Sequence, residues 1–121
     1  MTYQSFNKFC DMLSATTYVV QWGESHVWKV GGKLFAIGGW AEDVPAFTFK
    51  TEGIDAYEIL LRQPGVRPAP YFASRGMKWV QHYASPGLSD RELKHFLRES
   101  HRVVSLGLSK KRRRELGLDE L

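Results

Sequence analysis

The stretch His26–Trp40, HVWKVGGKLFAIGGW, decides how the rest of the chain is read. Its halves, His26–Val30 and Lys33–Ile37, are rich in β-branched and aromatic residues, with Gly31-Gly32 between them. A two-residue type I′ turn needs φ > 0 at both central positions, which glycine adopts without steric cost. The stretch therefore predicts a β-hairpin with Val30 opposite Lys33, Trp28 opposite Phe35 and His26 opposite Ile37. Side chains alternate along a strand, so Trp28, Val30, Phe35 and Ile37 are expected on one face, against helices. Val27, Lys29, Leu34 and Ala36 take the other face, toward solvent or a partner.

Upstream of the hairpin, Thr2 to Ser14 reads as a helix. Thr2 serves as N-cap, and Phe6, Phe9, Cys10 and Leu13 recur at i, i+3, i+4 and i+7. That spacing puts the single Cys10 on the buried stripe, where a free cysteine acts as a small hydrophobe. Tyr18–Trp22 reads as an irregular edge strand. Downstream, Gly38-Gly39-Trp40 ends the second hairpin strand and Ala41–Pro45 forms a short acidic loop. Ala46–Lys50 alternates Phe47 and Phe49 with Ala46, Thr48 and Lys50, giving a third strand in an antiparallel meander.

Ile54–Arg62 is a second helix, closed by Pro64-Gly65. Three prolines make Pro64–Gly76 extended and stiff. Tyr71-Phe72 pairs as a short strand, and Met77–Tyr83 alternates as the last one. Ser89-Asp90-Arg91-Glu92 is a capping box that opens the final helix, with Leu88 and Leu93 as its hydrophobic staple. At 100° per residue, Leu93, Phe96, Leu97, Val103 and Val104 share an arc of about 120°. Arg91, Lys94, His95, Arg98 and Arg102 share the opposite side. Gly107 ends this helix, and the run Lys110, Lys111, Arg112, Arg113 and Arg114 follows before a short helix through Leu116 and Leu118.

These elements predict an α+β fold in two layers, an antiparallel sheet of about five strands backed by helices in the order α-β-β-β-α-β-β-α. One domain is expected over residues 1–108 and a basic C-terminal tail over 109–121. A chain of 121 residues suits one core. Its 43% hydrophobic and 13% aromatic content exclude a disordered chain. No apolar run approaches the roughly 18 residues of a membrane span, and MTYQSFNK is no signal peptide. With one cysteine, no membrane partner and a cytoplasmic location are expected.

Net charge is +4, unevenly placed. Residues 1–60 hold four Lys/Arg against seven Asp/Glu, whereas residues 61–121 hold thirteen against six. The excess in the second half points to a polyanion as partner.

Trp22-Gly23, Val27-Trp28-Lys29-Val30-Gly31-Gly32-Lys33-Leu34-Phe35-Ala36, Pro64-Gly65-Val66-Arg67-Pro68-Ala69 and Lys78-Trp79-Val80, in this order and spacing, resemble the MmcQ/YjbR family. The resemblance implies a helix, three strands, a helix, two strands and a helix, similar to frataxin-like and secretion-chaperone-like domains. It also implies DNA binding by a double wing. On this chain the first wing is the hairpin with Lys29 and Lys33, and the second is the segment from Arg67 through Arg75 to Lys78.

Catalytic signatures are missing: there is no phosphate-cradling P-loop, no nucleophile elbow and no dinucleotide fingerprint. His95 and His101 stand about 120° apart on their helix and cannot share a metal. His26 and His82 lie in strands that a sheet could bring together. No enzymatic activity, cofactor or metal is therefore expected. The expected function is non-enzymatic DNA binding, mainly through phosphates, by a monomer or weak homodimer. The residues assigned to it are Lys29, Lys33, Arg67, Arg75, Lys78, Arg91, Lys94, Arg98, Arg102, Lys110, Lys111, Arg112, Arg113 and Arg114. Tyr71, Phe72 and Trp79 interleave with Arg67, Arg75 and Lys78, a pattern able to stack on bases. The alternative is an interaction or small-ligand module that uses the sheet face, where Trp22, Trp28, Trp40 and Tyr71 offer contact area.

Overall fold

In the computed structural model, which describes residues 1–41 and 43–118, Gly31 and Gly32 have φ of 56° and 84°. They join β2 (Ser25–Val30) to β3 (Lys33–Gly38) as an antiparallel hairpin. The pairing departs from the expected one. Trp28 lies opposite Ala36, and Phe35 is an extra residue in a β-bulge. The extra residue shifts the alternation by one, so Phe35 and Ala36 both join the helix-side core while Ile37 turns away with Val27. Ile37 and Ala36 thus exchange the faces the simple hairpin assigns them. The Ser100 hydroxyl supports the bulge. It donates to the Phe35 carbonyl at 2.7 Å and accepts from the Lys50 amide at 3.0 Å, replacing a ladder bond the bulge removes.

The sheet has six strands, in the spatial order β1-β2-β3-β4-β6-β5, all paired antiparallel. β1 (Thr16–Gln21) is a regular edge strand where an irregular one is expected at Tyr18–Trp22, and it brings the sheet to six strands instead of about five. β4 is Phe47–Lys50, β5 is Val66–Pro68 and β6 is Trp79–His82. The short strand falls on Val66–Pro68, not on Tyr71-Phe72, because Val66 and Pro68 find their register against β6 while Tyr71 adopts a left-handed turn.

The helices α1 (Tyr3–Met12), α2 (Gly53–Leu61) and α3 (Asp90–Leu106) cover one face. Thr2 caps α1, and Ser89 caps α3 through a capping box with Glu92. α3 crosses β2, β3 and β4, α1 lies on β1 and β2, and α2 lies on β5 and β6. A transverse row on this face reads Tyr18, Trp28, Ala36, Phe49, Val80 and Pro68 across the six strands. The matching row on the other face reads Val19, Val27, Ile37, Thr48, Gln81 and Arg67. No helix among the described residues covers that second row. Instead, the segments after β3 and after β5 fold toward it.

The basic run does not extend away from the fold. Ser109 caps a short helix α4 (Lys110–Glu115), and Leu108 and Leu118 are buried in the same core as the sheet. The two leucines anchor the ends of the cationic turn, which is why it folds back as a unit. Residues 119–121 of the expected tail lie outside the described residues.

Candidate nucleic-acid interface

The hairpin turn and α4 meet. A Cβ added to Gly31 would stand 2.7 Å from Leu108 Cδ1 and 3.0 Å from Leu116 Cδ1, and the φ of 56° at Gly31 favours glycine as well. The junction brings the expected first wing and the expected tail to one end of the molecule. Lys33 Nζ donates to the Gly107 carbonyl at 3.0 Å, bracing the end of α3. Lys110, Lys111, Arg112 and Arg114 are exposed on α4, where among the described residues Arg112 has a carboxylate nearby, Glu115 at 3.8 Å. Arg113 is half-buried with its Nε out of reach of a partner among the described residues. It belongs to the packing more than to the exposed surface.

The other assigned cations are dispersed. Arg91, Lys94 and Arg98 are exposed on α3, on the far side of the sheet from Arg67. Arg102 is held by Glu99 at 2.7 Å and Glu52 at 2.8 Å. Lys78 lies over the Tyr57 ring at 5.0 Å, on the helix side. Lys29 is half-buried in β2. These cations do not form a single surface.

Arg67 and Arg75 belong to a different construction. Beneath the loops on the open face, Gln81 is fully buried. Its Oε1 accepts from Arg67 Nε at 2.9 Å, and its Nε2 donates to the carbonyls of Trp40 at 3.2 Å and Gly39 at 3.4 Å. One amide therefore ties the guanidinium to the loop after β3. The Arg67 guanidinium also lies 4.2 Å over the Tyr83 ring. Above this anchor runs a chain of rings. Trp22 and Trp40 are 5.6 Å apart, Trp40 and Tyr71 are 5.3 Å, Trp40 and Phe72 are 5.3 Å, and Phe72 and Trp79 are 4.8 Å. A cleft of about 500 Å³ is lined by Trp22, Trp40, Tyr71, Phe72 and Arg75. A second hollow of about 430 Å³ shares Trp22, Trp40 and Tyr71 and adds Arg67 and Ser25.

A family model described as YjbR matches residues 12–103, more than half of the chain. The chain belongs to the YjbR family. The crystal structure of the Deinococcus radiodurans protein DR2400, of the DUF419 family-model domain, is similar to this YjbR-family chain with a TM-score of 0.82. The identity is 23%, and the likeness covers 98% of this chain and 90% of that one, so the two share a fold. No curated protein matches.

Elsewhere in this YjbR-family chain, His26, His101 and Cys10 are held in the packing, whereas both ring nitrogens of His82 are buried without a partner among the described residues. His26 and His82 share a transverse row with Gly38 and Phe47 between them, which separates them by about 14 Å at the usual strand spacing. Asn7 Nδ2 and the Tyr18 hydroxyl both reach His26 Nδ1, at 3.2 and 2.7 Å, while Trp28 Nε1 donates to Asn7 Oδ1. His101 is buried at 2.7 Å from the Ser14 carbonyl, and burial lowers its pKa. Burial drives the Cys10 thiol far above its ordinary pKa, so it is no nucleophile. Among the described residues no group of three metal-ligating side chains converges.

Sequence reasoning missed Ser100 and Gln81, two of the buried polar side chains that join elements. A signal exists for Gln81: it is an amide on the same side of its strand as Trp79 and Tyr83, between two aromatic residues.

Proposed function

We propose that this YjbR-family protein binds nucleic acid without catalysing a reaction on it, holding phosphates through cations of its C-terminal half. The junction of the Gly31-Gly32 turn with α4 carries this reading. It presents exposed lysines and arginines on a short, anchored helix, and phosphate binding needs little more than fixed cations and amides. The excess of thirteen Lys/Arg over six Asp/Glu across residues 61–121 supplies the long-range attraction.

A salt titration of duplex DNA binding by fluorescence anisotropy tests the reading. Affinity falls steeply with salt, and replacing Lys110, Lys111, Arg112 and Arg114 by Ala flattens the log–log slope by about 1 for each phosphate that is no longer neutralised. Absence of binding at low salt, or a slope unchanged by the replacement, contradicts it.

A further inference from the structure

The cleft on the open sheet face is built at a conformational cost that burial of its two outer rings does not explain. Trp22, Trp40 and Tyr71 all have left-handed backbones, with φ of 51°, 68° and 68°. Bulky residues are disfavoured in that conformation, which is why Gly and Asn dominate such positions. Burial does not compensate at Trp22 and Tyr71, which are 53% and 73% exposed, while half-buried Trp40 packs on Trp22, Tyr71 and Phe72. Three strained aromatic residues nonetheless converge on the same two adjoining hollows.

The charge of the site narrows its ligand. Arg75 lines one hollow and Arg67 the other, and among the described residues neither is lined by a carboxylate. Arg67 is oriented before any ligand arrives, by Gln81 and by the Tyr83 ring. A planar, fixed guanidinium suits bidentate binding of phosphate, and exposed rings suit stacking on a flat aromatic body. The volume of about 500 Å³ falls within the range of small-ligand sites.

From this geometry we infer that the cleft of Trp22, Trp40, Tyr71 and Phe72 takes an unpaired nucleobase whose phosphate is held by Arg67 and Arg75. The nucleotide is either free or part of a single strand. This site is separate from the α4 surface and does not rest on the phosphate-binding reading proposed above.

Quenching of tryptophan fluorescence tests it, with thymidine, thymidine monophosphate and an oligothymidylate of about 12 residues as probes. The monophosphate quenches and binds at least tenfold more tightly than thymidine. Comparable affinity for the monophosphate and the oligonucleotide identifies a free nucleotide as ligand, and much tighter oligonucleotide binding identifies a strand. Trp22→Ala and Tyr71→Ala each weaken binding tenfold or more, Tyr71→Phe keeps it, and Arg67→Lys loses at least fivefold for the monophosphate but not for thymidine. Thermal melts confirm that each variant is folded. The Ala replacement of the four α4 cations leaves quenching by the monophosphate intact. Three results overturn the inference: no quenching by monophosphate or oligonucleotide, affinity that survives both Trp22→Ala and Tyr71→Ala, or loss of monophosphate binding with the α4 replacement alone.

Discussion

The two faces of the sheet are made from neighbouring residues of the same strands, yet they are organised by different physics. On the covered face, Trp28, Ala36, Phe49 and Val80 lie in one row beneath α3, and Phe35 joins them through the bulge. On the open face, the corresponding row ends in Thr48, Gln81 and Arg67, and above it stand rings on left-handed backbones. The first arrangement removes apolar surface from water. The second keeps rings and guanidinium groups accessible at a cost in backbone strain. Both rows bury their central side chains, Val27, Ile37, Thr48 and Gln81 included, but among the described residues exposed rings beside arginines stand only over the second.

The comparison breaks most readily at the covered face. Phe35→Ala removes a fully buried ring beside His101 and lowers unfolding free energy by about 3–5 kcal/mol, read from urea denaturation. A loss below about 1 kcal/mol would mean the bulge does not deliver Phe35 to the core.

Gln81→Ala probes the anchor of the open face. It strands the Trp40 carbonyl and Arg67 Nε and costs about 2 kcal/mol, less than the core ring, while weakening monophosphate binding by more than Arg67→Lys does. Equal stability in the variant would show that the loop after β3 is held by other interactions.

The covered face also sets the acid limit. Burial holds the pKa values of His101 and His82 below the ordinary histidine value of about 6.5. The unfolded chain therefore binds protons more readily than the folded one in that window. Their contribution to stability is full above about pH 6.5 and declines as pH falls from there toward the depressed folded values. The urea midpoint drops between about pH 7 and pH 5.5, and His101→Gln makes the drop shallower. A midpoint rising over that interval would contradict the burial of both rings.

Local signals carried most of the fold. The Thr2 and Ser89 caps, the Gly31-Gly32 turn and the stripe of Leu93, Leu97 and Val104 are written within a few residues of where they act. The bulge was not legible, because it depends on Ser100 supplying two hydrogen bonds from far along the chain. The seating of α4 was hidden for a similar reason: Leu108 and Leu118 look like any leucines until Gly31 is placed beside them. Of the candidate site, the interleaving of Tyr71 and Phe72 with Arg67 and Arg75 could be read directly. Trp22, Trp40 and Tyr71 were legible as ligand-facing aromatics, though grouped with Trp28, which is buried; that they meet Arg67 and Arg75 over Gln81 was not, since it arises from loops on different strands.

Tyr71→Asn tests the division of labour most directly, because it relieves strain and removes a ligand-stacking ring at once. Asparagine tolerates the left-handed backbone, and the ring it replaces is largely exposed. The variant is predicted to be more stable by about 1 kcal/mol in urea denaturation and to bind thymidine monophosphate at least tenfold more weakly in the fluorescence titration. Lower stability with unchanged nucleotide affinity would contradict the account, since it would make Tyr71 a structural residue.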